Sequence, residues 1–119
     1  MFEKLAQIRE RYAALRKRLE DPALYADPAQ AARLLKEDKE LQPLMSAFAA
    51  WEKARDDARA AEELSHDPDG ELRALALQEL SDARSEIARQ ESQLRLLLLP
   101  RDRDDDKSVI VEIRSGVGG

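Results

Sequence analysis

Residues 94–119 read LRLLLLPRDRDDDKSVIVEIRSGVGG, and this stretch decides how the chain divides. The apolar run 96–99 stops at Pro100. Proline lacks a backbone N–H and pushes the residue before it out of the helical region, so a helix ends here. A charged loop follows over 101–108. The pattern then turns strand-like from Val109 to Arg114: Val111 and Ile113 alternate with Glu112 and Arg114, and Val109 and Ile110 extend the apolar start. The run closes on Gly116-Val117-Gly118-Gly119. A lone strand leaves a row of unpaired backbone groups and is not stable by itself. The expected division is a helical domain over 1–100, a linker over 101–108, and the first strand and Gly-rich turn of a truncated second domain over 109–119.

Composition fits a helical module. Charged residues make up 38% of the 119 and aromatics only 4%, while much of the 43% hydrophobic fraction is alanine. That mix cannot fill a large globular core, but it suits long solvated helices packed along one stripe. The absence of cysteine excludes disulfides and thiolate metal sites and fits a reducing, cytoplasmic setting. The start, MFEKLAQIRER, has no apolar signal core, and no apolar run is long enough to cross a bilayer, so no membrane partner is expected. A net charge of -5, from 25 acidic and 20 basic residues, argues against gripping a phosphate backbone over a broad face. Strong nucleic-acid binding by these residues is not expected.

The first helix is predicted over 2–20. Leu5, Ile8, Tyr12, Leu15 and Leu19 follow a 3-4-3-4 spacing, a heptad seam for a partner helix. Asp21-Pro22 ends it, and 23–26 is a connector. The second helix opens at Asp27-Pro28-Ala29-Gln30, where Asp27 is a good N-cap and Pro28 suits the first helical position. Its pattern runs to about Ser65, with Leu34, Leu41, Phe48 and Ala58 near one stripe and Leu44, Met45 and Trp51 widening it. Pro43 removes a helical hydrogen bond and crowds the carbonyl of Lys39, which predicts a kink or a short break around 41–43. Phe48 and Trp51 are read as packing residues, because aromatics dominate cores.

The loop His66-Asp67-Pro68-Asp69-Gly70 leads to a third helix that ends near Leu98. Leu72, Ala76, Leu80, Ala83, Ile87, Leu94 and Leu97 give its seam, with Gln90 a soft spot on it. The short loop makes the second and third helices antiparallel neighbours. The fold class is therefore all-α: an elongated antiparallel three-helix bundle, or a coiled-coil hairpin with a third helix packed on part of it, followed by one β-strand.

Sites for chemistry are few. His66 is the only histidine and has no spaced partners for a metal. Asp102, Asp104, Asp105 and Asp106 lack the glycine and later glutamate of a calcium loop, and a solvated linker fits them better. No catalytic, cofactor-binding or metal-ligating residue is expected. Two exposed basic clusters stand as candidate contact faces: Arg9, Arg16, Lys17 and Arg18 on the first helix, and Arg84, Arg89 and Arg95 on the third. Solubilising surface charge is the better reading of both.

The C-terminal run then carries a resemblance. Leu97-Leu98-Leu99-Pro100-Arg101-Asp102, Asp105-Asp106-Lys107 and Val111-Glu112-Ile113-Arg114, followed by Gly116 and Gly118-Gly119, closely resemble the bacterial class-I peptide chain release factors. They are most similar to the branch that reads UAA and UAG. In that family the run joins the N-terminal helical domain to the central domain. Arg11-Tyr12-Ala13-Ala14-Leu15 with Asp21-Pro22, and Lys36-Glu37 ahead of Leu41 and Pro43, also resemble the family pattern. Ser115, Val117 and Arg103 depart from the usual Ala, Thr and Pro. The motif residues to carry over are Glu112, Ile113, Arg114, Gly116, Gly118 and Gly119.

What the resemblance implies is an N-terminal domain of a translation termination factor. The Gly-Gly-Gln and Pro-x-Thr tripeptides of the family are absent from this sequence, so no catalytic or codon-reading residue is carried over. The domain is expected to be an interaction module and not an enzyme. Its implied partners are the ribosome, through proteins at the base of the large-subunit stalk, and the class-II release factor GTPase. The rival reading is a free-standing coiled-coil adaptor that self-associates through its heptad seams.

Overall fold

The computed structural model describes residues 1–100. Helix α1 spans Phe2–Leu19, a 3-10 helix spans Pro22–Ala26, α2 spans Pro28–Leu64 and α3 spans Gly70–Leu98. The linker, strand and Gly-rich turn expected over 101–119 lie outside the described residues.

The seam read for α1 is the face it buries. Leu5 and Leu15 are almost fully covered, and Ile8, Tyr12 and Leu19 are half-buried. The connector is more ordered than a plain link. Asp21 accepts a hydrogen bond from the Ala23 amide at 2.9 Å, starting the 3-10 turn, and Leu24 plugs inward. Tyr25 Oη donates to the Leu19 carbonyl at 2.7 Å, satisfying one of the carbonyls orphaned at the end of α1.

Helix α2 starts as its sequence dictates, with the Asp27 carboxylate accepting from the Gln30 amide at 3.2 Å and Pro28 in the first turn. It runs unbroken through Pro43. Of the kink or break expected near Leu41, the break does not form. A proline removes only one ladder bond, and Leu44, Ala47 and Phe48 just beyond it are buried in the core and hold the helix on course. The turn into α3 is fastened locally. Asp67 accepts from the Asp69 amide at 2.8 Å, Asp69 caps α3 through the Glu71 amide at 2.9 Å, and Arg73 Nη1 donates to the carbonyls of Asp67 and Pro68.

Helices α2 and α3 form an antiparallel hairpin, with α1 laid along α2 only. No Cα of α1 comes within 8 Å of one in α3. Side chains do bridge all three helices at one place, where Leu5, Leu44, Ala47, Phe48 and Leu94 form the core cluster. Beyond it the hairpin is held by small residues. Ala54 and Ala61 of α2 and Ala76 and Ala83 of α3 are buried, and they let the backbones approach closely. Of the α2 seam read from the sequence, Leu44 and Phe48 are buried and Leu41, Met45 and Trp51 pack against the core, while Ala54 and Ala61 extend the seam beyond them. The seam read for α3 holds at Ala76, Leu80, Ala83 and Leu94, but Leu72 and Leu97 near its ends are exposed at 42% and 36%. Gln90 is buried and its amide donates to Glu86 at 2.8 Å, so the soft spot is satisfied.

Candidate interaction surfaces

Three arginines of α1, Arg9 and Arg16 on one side of its buried seam and Arg11 on the other, reach across to three carboxylates on α2. Arg9 pairs with Glu52. Arg11 grips Glu37 with two bonds, Nε at 2.7 Å and Nη2 at 2.6 Å. Arg16 reaches Asp38 at 3.1 Å, and Gln42 donates to the other Asp38 oxygen at 2.8 Å. Burial pushes the Asp38 carboxyl up. The bonds from Arg16 and Gln42, the Arg16 charge and Tyr12 outweigh that and hold it below the usual carboxylate range. The Glu37 carboxyl is also held down, chiefly by its bond to Arg11. Charge-assisted bonds thus fix α1 onto α2 at three levels.

The aromatic side chains pack where α1 begins. Phe2 lies 4.3 Å from the Trp51 ring and 6.4 Å from Phe48, centre to centre. The Arg9 guanidinium sits 4.1 Å from the centre of the Phe48 ring, and Trp51 Nε1 donates to Glu91 of α3 at 3.1 Å. Phe48 and Trp51 therefore pack α1, α2 and α3 together, as read from the sequence.

The two basic clusters do not survive as uniform faces. Arg9 and Arg16 are engaged with α2, while Lys17 and Arg18 stay exposed. On α3, Arg89 chelates Glu86 at 2.9 and 2.8 Å, Arg95 faces Glu91 at 3.7 Å and Arg84 faces Glu62 at 3.4 Å. His66 is exposed and lies 3.4 Å from Glu62. Among the described residues no group of three or more His, Cys, Asp or Glu is placed to hold a metal ion, and no helix is long and apolar enough to cross a membrane.

The α2–α3 seam leaves a groove on each flank, and the two differ in charge. One, of about 600 Å³, is rimmed by Asp57, Glu79, Asp82 and Glu86 with Lys53. The other, of about 510 Å³, is floored by Ala58, Leu80 and Ile87 and rimmed by Arg55, Arg59 and Arg84, with Glu62 and Glu63 along its edge. The motif residues Glu112, Ile113, Arg114, Gly116, Gly118 and Gly119 lie outside the described residues.

Residues 8–119 match the PCRF domain. The chain belongs to the PCRF domain family. Its relatives include Peptide chain release factor 1 of Caldicellulosiruptor bescii, 40% identical over 120 residues, which cover all of this chain and 34% of the relative. The same factor of Acidobacterium capsulatum is 38% identical over 119 residues, covering 33% of its length, and that of Streptomyces coelicolor is 41% identical over 120 residues, covering 32%. This PCRF domain chain thus spans about a third of the length of the curated relatives it matches. No solved structure matches it.

Some residues that shape the surfaces of the PCRF domain went unnoticed in the sequence. Asp38 falls on the heptad that runs Ala31, Asp38, Met45, and a lone carboxylate on a buried register is the signal that a cation must meet it. Arg55 and Arg59 gave no such signal. Their convergence with Arg84 depends on the registration of α2 against α3, which spacing within one helix does not reveal.

Proposed function

We propose that this PCRF domain is the N-terminal helical domain of a translation termination factor, an interaction module rather than a catalyst. In this reading it serves release of the nascent peptide at UAA and UAG, while codon reading and ester cleavage belong to parts beyond these 119 residues. The observation that carries the reading is that relatives named Peptide chain release factor 1 align over the whole chain at about 40% identity. The fold supports it: a long hairpin with one helix clamped at its base projects a surface far from its own core. The partners proposed are the ribosome, proteins at the base of its large-subunit stalk, and the class-II release factor GTPase, with the setting cytoplasmic.

The test is a release assay on ribosomes stalled with peptidyl-tRNA at a defined codon. The full-length factor carrying this domain is expected to release peptide at UAA and UAG and not at UGA, and residues 1–119 alone are expected to release none. Release by the 119-residue chain would refute the module reading. Release at UGA by the full-length factor would refute the codon assignment. Concentration-dependent oligomers of the chain, dissolved by Leu80→Asp, would favour the adaptor reading instead.

A further inference from the structure

The basic groove contains cations that the fold itself does not satisfy. Arg55 Nε is buried and meets no hydrogen-bond acceptor. Its guanidinium lies 5.1 Å from the Trp51 ring and reaches Asp56 only at 3.4 Å. Arg84 has a single long contact to Glu62, also 3.4 Å. Arg59 takes part in none of the ion pairs formed among the described residues. A buried donor without an acceptor carries a desolvation cost that an acceptor brought by a partner would relieve. Here three guanidiniums with spare donors converge over an apolar floor of Ala58, Leu80 and Ile87.

We propose that this groove is a docking site for an acidic amphipathic helix of a partner protein, with partner carboxylates on Arg55, Arg59 and Arg84 and partner aliphatic side chains on Leu80 and Ile87. Three observations select that occupant. First, the groove lies between two antiparallel helices and none of its lining residues belongs to α1, so a third helix would complete a three-helix layer there. Second, the arginines ask for anions with two acceptor oxygens, which carboxylates supply. Third, a phosphodiester backbone offers nothing apolar for the floor, and Glu62 and Glu63 on the edge, with the carboxylates of the other groove behind, repel a polyanion. A short carboxylate-bearing helix can set its charges between those two glutamates. The proposal names a surface and a partner chemistry beyond the termination reading and does not depend on it.

The test uses the full chain and a fluorescein-labelled peptide of about 18 residues, with leucines at i, i+3, i+4 and i+7 flanked by glutamates. Anisotropy is expected to show binding in the range of about 1–50 μM. Trp51 fluorescence should change on binding, because Arg55 stacks on that ring. Arg59→Glu is expected to weaken binding about tenfold, and Arg59→Gln, which adds no like charge beside Glu62 and Glu63, about threefold. Arg59 is exposed and unpaired within the described fold, so both variants should keep wild-type helicity by circular dichroism. Lys53→Ala, on the opposite flank, should bind as wild type. The proposal is overturned by no binding up to about 100 μM, by affinity indifferent to both Arg59 variants, or by equal binding of the lysine-for-glutamate peptide. Equal binding of a short RNA would overturn it in favour of a nucleic-acid face. Sedimentation showing self-association that Arg59→Glu abolishes would overturn it in favour of a second copy of this chain. Failure of the release assay leaves this result standing, since no step here involves the ribosome.

Discussion

Carboxylate 38 occupies a heptad position between Ala31 and Met45, where an aliphatic side chain would be the ordinary choice. It is tolerated because Arg16 and Gln42 meet both of its oxygens. That arrangement has a pH signature. The folded carboxyls of Asp38 and Glu37 bind protons less readily than in the unfolded chain, so acid favours unfolding. Their contribution is fully present above the ordinary carboxylate range and is lost as pH falls through the depressed folded values. Urea midpoints measured between about pH 6 and pH 2 should therefore fall with acid, and Asp38→Asn should be less stable at the upper end with a flatter profile. Parallel profiles for the two proteins would show that Asp38 does not carry the effect. At this scale the sequence was legible where the cap stands beside its own punctuation: Asp27, followed by Pro28, could be named, whereas Asp69 read only as a loop residue and its cap on the Glu71 amide emerged from the structure. It was opaque at Asp38, because a buried charge is explained only by the residue that meets it from another helix.

Helices are joined here by two different means, and this separates α1 from the hairpin. The α2–α3 seam is alanine and leucine packed closely along its length. Helix α1 is fixed by two well-buried leucines, Leu5 and Leu15, and by three ion pairs whose arginines are about half exposed. Pairs open to solvent weaken with salt, since the screening length falls from about 10 Å at 0.1 M to about 3 Å at 1 M. Raising sodium chloride over that range should speed amide exchange in α1 by roughly threefold to tenfold. Exchange at the seam around Leu80 and Ala83 should hold constant. Equal acceleration in all three helices would mean that α1 is an integral part of the seam and not a separately docked arm. The existence of all three helices could be read from periodicity and punctuation. Unbroken passage of α2 through Pro43 could not, because proline's local penalty is opposed by packing of Leu44, Ala47 and Phe48 against other helices, which a local reading does not see.

The described molecule measures 66 × 38 × 21 Å with a radius of gyration of 20.9 Å, against about 13 Å for a compact domain of 100 residues. An elongated hairpin was the expected outcome of long helices, few aromatics and short loops. Where the three helices meet was less accessible, since the seam residues of each could serve several partners. The meeting point is Leu94. It is fully buried from α3 in one cluster with Leu5 of α1 and Leu44, Ala47 and Phe48 of α2, so a single α3 side chain sits where the arm and the hairpin join. Truncating it removes contacts from all three helices and leaves a cavity that rigid neighbours cannot close, at a cost of about 2–5 kcal/mol. Ile87 sits further along the hairpin, is only half-buried and is not in that cluster, so Ile87→Ala should cost less, about 1–2 kcal/mol. Urea unfolding of the two variants distinguishes a molecule stabilised at one hub from one stabilised evenly along its length. A larger loss for Leu94→Ala, with α1 amides exchanging freely, places the structural weight at the base of the hairpin. The far half is then left to present its grooves on a seam of alanines and Leu80. Equal losses would mean instead that the seam itself is the main source of stability, and that α1 rides on a hairpin able to stand without it.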